Sequence, residues 1–320
     1  MAALLGGCLE ELPKPSKVDG LRVLGVQAEP PELAPGGTTE LRALVADPEG
    51  RPVKLEWYAC QVPERGQGLF EGGGQSSASG GGGYALDSKS SCADPELIAA
   101  GASVRLGTGP TVSYTVPLDA LSEEAIRFAY GLPEDGRLPI EAQIGLLTVA
   151  GVNTTISLVA TVPGAKPLEA FKRLNVSLAS PANKNPTGIA FALRRADDQS
   201  EAPKAGTAPE GECFVSPVAI EAGEWVIQAL NMPDPGEPYP VIVGGTSIER
   251  PFELLFTEET WFYSTFSTAG SISPDIVKSS QAGRIKWTLD ETPTEPVDVW
   301  IVVRDGRGGT AWCHSVLAPE

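Results

Sequence analysis

Residues 21–60 read LRVLGVQAEPPELAPGGTTELRALVADPEGRPVKLEWYAC, and their periodicity decides the fold. Leu21, Val23 and Gly25 alternate with Arg22, Leu24 and Val26, the two-residue period of a strand. Pro30-Pro31 and Pro35-Gly36-Gly37 stop that strand, because proline lacks the N–H a ladder needs and glycine takes up turn conformations. Leu41, Ala43 and Val45 then share a face opposite Arg42 and Leu44. Asp47-Pro48-Glu49-Gly50 has the chemistry of a tight turn, and Val53, Leu55 and Trp57 begin a third strand. Short strands punctuated by turns point to antiparallel β structure.

This succession resembles the opening of an immunoglobulin-like sandwich. The resemblance rests on the Pro/Gly turn before the second strand, the Asp-Pro-x-Gly turn and a tryptophan on the third strand, and it implies that Trp57 fills the space between two sheets. The Gly/Ser-rich stretch 66–92 has little to bury and reads as a mobile insertion. None of its glycines leads directly into the Lys-Ser/Thr of a phosphate loop, and no strand–loop–helix context surrounds it. TVSYTVPL (111–118) resumes the sheet. LSEEAIRFAYGL predicts a short helix capped by Ser122 or Asp119, with Glu123 and Glu124 in its first turn and Gly131 as its stop. Residues 138–151 and 154–164 read as a closing hairpin in which Ile156, Leu158, Ala160 and Val162 share a face.

Pro163-Gly164-Ala165-Lys166-Pro167 reads as the boundary of a second domain. Strands are expected at 171–181, 187–196, 224–232 and 239–245, through 252–270, and in GRIKWTL. The chain ends in the hairpin VDVWIVVRDGRGGTAWCHSVL, turned at Asp305-Gly306-Arg307-Gly308-Gly309. That stretch resembles the last strands of bacterial immunoglobulin-like surface domains. The expected fold class is therefore all-β: two immunoglobulin-like β-sandwich domains in tandem. Residues 1–19 form a tether, 20–164 the first domain with a short helix and the Gly/Ser insertion, and 165–320 the second. A length of 320 residues suits two domains of about 150 each.

The formal charge of −17 repels phosphate backbones, so a nucleic-acid partner is not expected. Of five cysteines, Cys60 and Cys92 lie in one half and Cys213 and Cys313 in the other. Pairing within halves is the natural arrangement, and the two other connectivities would tie the halves together. Cys8 is left over. Leu5-Gly6-Gly7-Cys8 resembles a bacterial lipobox, an aliphatic residue and two small ones before the cysteine that is lipidated. Seven residues precede Cys8, fewer than a basic and apolar signal region requires, so either the true start lies upstream or the resemblance is accidental. The polar, Pro-bearing LEELPKPSKVDG suits a tether. Together with LRVLGVQAEPPELAPGG and VVRDGRGGTAW, these segments resemble lipoproteins of myxobacteria and related deltaproteobacteria. The likeness implies export, several acyl chains at Cys8 and attachment to a membrane surface, with no catalytic motif.

Candidates for chemistry are few. The single histidine, His314, adjoins Cys313 and reads as a sheet-surface residue. Glu258-Glu259 and Asp290-Glu291 are carboxylate pairs in apparent turns. Asp47-Pro48-Glu49-Gly50, Asp94-Pro95-Glu96 and Asp305-Gly306 offer oxygens to Ca2+ without EF-hand spacing, and no other cofactor is implied. Trp225, Trp261, Trp287, Trp300 and Trp312 all sit in strand-like contexts, where an aromatic usually packs; Trp300 and Trp312, across the terminal hairpin, are the candidates for an exposed pair that could stack on a sugar. Asn153-Thr154-Thr155 and Asn175-Val176-Ser177 match the glycosylation sequon, which carries no meaning in a bacterial chain. The expected role is structural or adhesive, with an envelope or extracellular protein as partner. The alternatives are a carbohydrate-binding module and a hydrolase of unrecognised site.

Overall fold

The computed structural model describes residues 15–61, 91–130, 140–198, 205–216, 218–231, 236–247, 250–278 and 284–320. Cys8, the middle of the Gly/Ser insertion and Gly131 lie outside the described residues. The chain is predominantly β.

In the first half, β1 (Arg22–Glu29), β3 (Thr38–Ala46) and β6 (Thr111–Thr115) form a three-stranded sheet in the order β1-β3-β6. It faces a five-stranded sheet made of β2 (Glu32–Leu33), β8 (Leu168–Val176), β7 (Val152–Thr161), β4 (Lys54–Cys60) and β5 (Ser103–Thr108), in that order. The two apolar faces close on Leu41, Trp57, Ile156, Leu158 and Leu174, all fully buried. Trp57 fills the space between the sheets, and its indole N–H donates to the Gly109 carbonyl at 2.8 Å, satisfying the one polar atom it buries. Ile156, Leu158, Ala160 and Val162 are all buried on one face, as their alternation requires.

The second half repeats the plan. One sheet runs β14 (Ser271–Ser273), β16 (Arg284–Leu289), β10 (Gly223–Leu230), β9 (Ala190–Arg195). The other runs β15 (Ile276–Lys278), β13 (Phe262–Ser267), β17 (Val297–Arg304), β18 (Thr310–Leu317). Phe191, Ile227, Tyr263, Trp287 and Ile301 fill the space between them. A separate two-stranded ribbon joins β11 (Pro238–Ser247) to β12 (Arg250–Glu258).

Both disulfides form within halves. Cys60–Cys92 closes the base of the insertion with Cα atoms 5.1 Å apart. Cys213–Cys313, at 5.0 Å, joins β18 to the segment beside β9 and so staples the two sheets of the second half.

Three expectations are corrected. Residues 138–151 do not contribute a strand: Ile140–Val149 is a helix, α3. A short, nearly all-apolar run fits a buried strand or a buried helix equally, and here packing decides. Leu146 of α3 buries against Ile126, Ala129 and Tyr130 of α2 (Glu123–Tyr130), the helix that was expected and that Ser122 caps through the Ala125 N–H. Gly151 ends α3 at φ +64°, its N–H returning to the Leu146 carbonyl. Another short helix, α1 (Pro95–Ala99), starts at Asp94, whose carboxylate accepts the Glu96 N–H.

Secondly, Pro163–Pro167 is the turn of a hairpin and not a boundary. β8 pairs with β7 along its whole length and lies in the first half's sheet, so the first sandwich runs through Val176. A Pro/Gly turn has the same composition whether it joins paired strands or separate bodies, and only the pairing distinguishes them. Thirdly, the end of the tether is not free. Lys17 pairs in parallel with Ser267 at the end of β13, and Val18 is buried.

Candidate functional site

Among the described residues the two sheet pairs meet at an apolar contact and at a polar one. The first is apolar: Val18, Leu24 and Ala46 of the first half pack on Trp300 and Val302 of the second, with Trp312 partly buried beside them. Trp300 is only 8% exposed, and its ring stacks at 5.0 Å and 8° on His314, whose Nε2 lies 2.7 Å from Asp298. These tryptophans therefore do not form an exposed sugar platform. In the terminal hairpin Trp300 pairs with His314 and Trp312 with Val302, so the two rings are out of register and the surface they share is covered by β1.

The second contact is polar and centres on the turn 305–309. The Asp305 carboxylate accepts the N–H groups of Arg307 at 2.7 Å and Gly309 at 2.8 Å, which fixes the turn, and takes a third bond from the Asn183 amide at 2.8 Å. The buried ammonium of Lys172 on β8 donates to the Gly308 carbonyl and to Thr310 Oγ1. Asn185 accepts the Thr310 N–H and donates to the Ala28 carbonyl and the Glu29 carboxylate. Burial draws the Lys172 ammonium down to about 8; Asp305 opposes that shift and Arg304 adds to it. Glu32 is likewise buried and is satisfied by Asn175, Ser177 and the Asn183 N–H. Residues 177–187, which lead from one half to the other, are thus held on both sides.

Beside this clamp opens a cleft of about 890 Å3, walled by the 305–309 turn, the base of the β11–β12 ribbon, residues 179–187 and the edge of the first half. Arg307 lines it. Its guanidinium lies 3.8 Å from Glu32 and 3.7 Å from Glu259 and stacks 4.7 Å over the ring of Tyr239. Glu259 in turn accepts the Trp261 indole N–H at 3.0 Å. Burial holds the Glu259 carboxyl above its usual range, with Asp305 and Glu237 adding to the shift and the Trp261 hydrogen bond and Arg307 working against it. Tyr239 is raised for the same first reason, burial.

Sequence reasoning reached part of this. Asp305 was singled out for Ca2+ and Glu259 as half of a carboxylate pair; the structure brings them to one cleft and leaves Glu258, Asp290 and Glu291 exposed elsewhere. The leading carboxylate of each of the three calcium candidates already serves its own loop. Asp47 is engaged by Arg51 at 2.9 Å and held below the usual carboxylate range by it, Asp94 caps α1, and Asp305 holds its own turn. The two sequon asparagines, Asn153 and Asn175, turn out to be cross-strand partners on the cleft wall. Arg307, Tyr239 and Lys172 gave no signal, because nothing local in the chain announces a residue that works 136 positions from its partner. Compared with known proteins, the chain matches no family model and no curated protein.

Proposed function

We propose that this chain is an exported, non-enzymatic component of the bacterial envelope, lipidated at Cys8, in which two immunoglobulin-like sandwiches in tandem present a rigid adhesive surface. The strand orders support the architecture. In space, β9-β10-β16-β14 and β15-β13-β17-β18 fit the A-B-E-D and C′-C-F-G orders of such sandwiches, with the difference that β14, in the D place, precedes β15, in the C′ place, along the chain. The first half fits the same plan without a D strand among the described residues, with β1-β3-β6 in the A-B-E places, β5-β4-β7-β8 in the C′-C-F-G places, Trp57 on the third strand and a split first strand, β1 and β2. One disulfide per half fits an oxidising, exported setting. Among the described residues no helix is long and apolar enough to cross a membrane, so attachment in this reading rests on the lipid.

The observation that carries the adhesive reading is the clamp. Lys172, Asn183 and Asn185 lock the last inter-strand turn of the second sandwich to the first. That turn and the β11–β12 ribbon, which connects the second and third strands, lie at the end of a sandwich where such folds carry binding loops. Mass spectrometry of the mature protein from its native host tests the reading. Acylated Cys8 with four oxidised cysteines, in a surface-accessible membrane fraction, is expected. An intact Met1 with five free thiols would overturn it.

A further inference from the structure

We propose that the cleft between the two sandwiches binds a neutral glycan. Its lining alternates donors and acceptors around aromatic faces, which is what a ring bearing hydroxyls on its rim and C–H groups on its face requires. Trp261 and Tyr239, both half-buried, supply the aromatic surfaces. Arg307 supplies the donors. Its separations from Glu32 and Glu259 exceed hydrogen-bond length, so among the described residues its guanidinium N–H groups are oriented but not consumed.

The charge balance selects against an ionic ligand. Glu32, Glu237, Glu259 and Asp305 line the cleft against Arg173, Lys184 and Arg307, four carboxylates to three cations. An acidic ligand meets no net attraction there and is repelled by the −17 of the whole chain. A cationic ligand would have to displace Arg307 from both of its carboxylates. Hydroxyls need neither, since each accepts from a guanidinium or amide and donates to a carboxylate. The site is also preorganised: Arg307 is held by two carboxylates and a ring, and Pro181, Pro186, Pro238 and Pro240 stiffen the walls. A volume near 890 Å3 lies within the range of small-molecule sites and accommodates a short oligosaccharide segment.

The inference rests on the adhesive reading for its setting, yet it fails separately. A lipidated, surface-exposed chain that binds no neutral glycan would leave that reading standing. The test is affinity electrophoresis of the oxidised full chain through gels containing soluble β-1,3-glucan, xyloglucan, galactomannan or polygalacturonate. Retardation by at least one neutral polysaccharide is expected, weakened at least tenfold by Arg307→Ala and by Tyr239→Ala and unaffected by Trp312→Ala. Asn153→Ala, on the cleft wall and outside the clamp, should weaken it also and guards against misfolding of the first two variants. The proposal is overturned if no neutral polysaccharide retards the protein. It is equally overturned by retardation confined to polygalacturonate, or by cleft variants that behave as wild type.

Discussion

Lys172 on β8 donates its ammonium hydrogen to the carbonyl of Gly308, 136 residues further along, and in doing so joins the first sandwich to the last turn of the second. Removing that side chain strips a charge-assisted donor from two buried acceptors, Gly308 O and Thr310 Oγ1. Lys172→Ala is expected to lower stability by about 2–3 kcal/mol, read as a shift of the urea midpoint. Limited proteolysis should then cut within 177–187, where wild type resists.

The same lysine sets a pH dependence. Its folded value of about 8 lies below the value of an unfolded lysine, so between roughly pH 8 and 10.4 the unfolded state binds more protons. Stability contributed by this group therefore rises with pH through that window, by about 3 kcal/mol at most, and is flat below it. The difference between wild type and Lys172→Met isolates the effect from the buried tyrosines, whose raised values work in the opposite direction above pH 10. A difference that does not change between pH 7.5 and 10 would remove the buried charge from this account.

Each disulfide makes a separate contribution. The Cys60–Cys92 bridge closes a sequence separation of 32 and the Cys213–Cys313 bridge one of 100. Loop-closure entropy predicts losses of about 3.7 and 4.7 kcal/mol when the pairs are replaced by alanine. Calorimetry of the two double variants should rank the second as the more damaging.

Gly151 ends α3 at φ +64°, and a Cβ there would stand 2.5 Å from both the Asn175 amide oxygen and the Val176 carbonyl. Gly151→Ala therefore incurs backbone strain and a clash with a paired strand together. A loss of more than about 1 kcal/mol is expected, measured by thermal unfolding.

Trp312→Ala separates the two readings of the terminal hairpin. As part of the apolar contact between sandwiches, the half-buried ring should cost about 1–3 kcal/mol on removal and leave glycan retardation unchanged. Loss of binding with unaltered stability would restore the platform.

What could be read from the chain follows the range of each interaction. The alternation in 21–60 and 154–162 is a local consequence of strand geometry, so Trp57 and Ile156 were found as core residues before any contact was known. The two bridges followed from counting within halves. α3 was misread because its apolar run has no hydrophilic face to reveal a 3.6-residue period. The turn at 163–167 was misread as a boundary because the pairing of β7 with β8 is not written in the turn. The cleft and the clamp beside it were invisible for a third reason: Glu32, Lys172, Asn183, Glu259 and Arg307 come from five separate segments, and only folding brings them together.

The parallel pairing of Lys17 with Ser267 has a mechanical consequence. A pull applied ahead of Lys17 reaches β13 of the second sandwich before it reaches β1 of the first. The force is thus shared across the seam from the outset, and detachment of residues 16–18 would act as a fuse that lengthens the chain ahead of β1 while both inter-sheet cores stay intact.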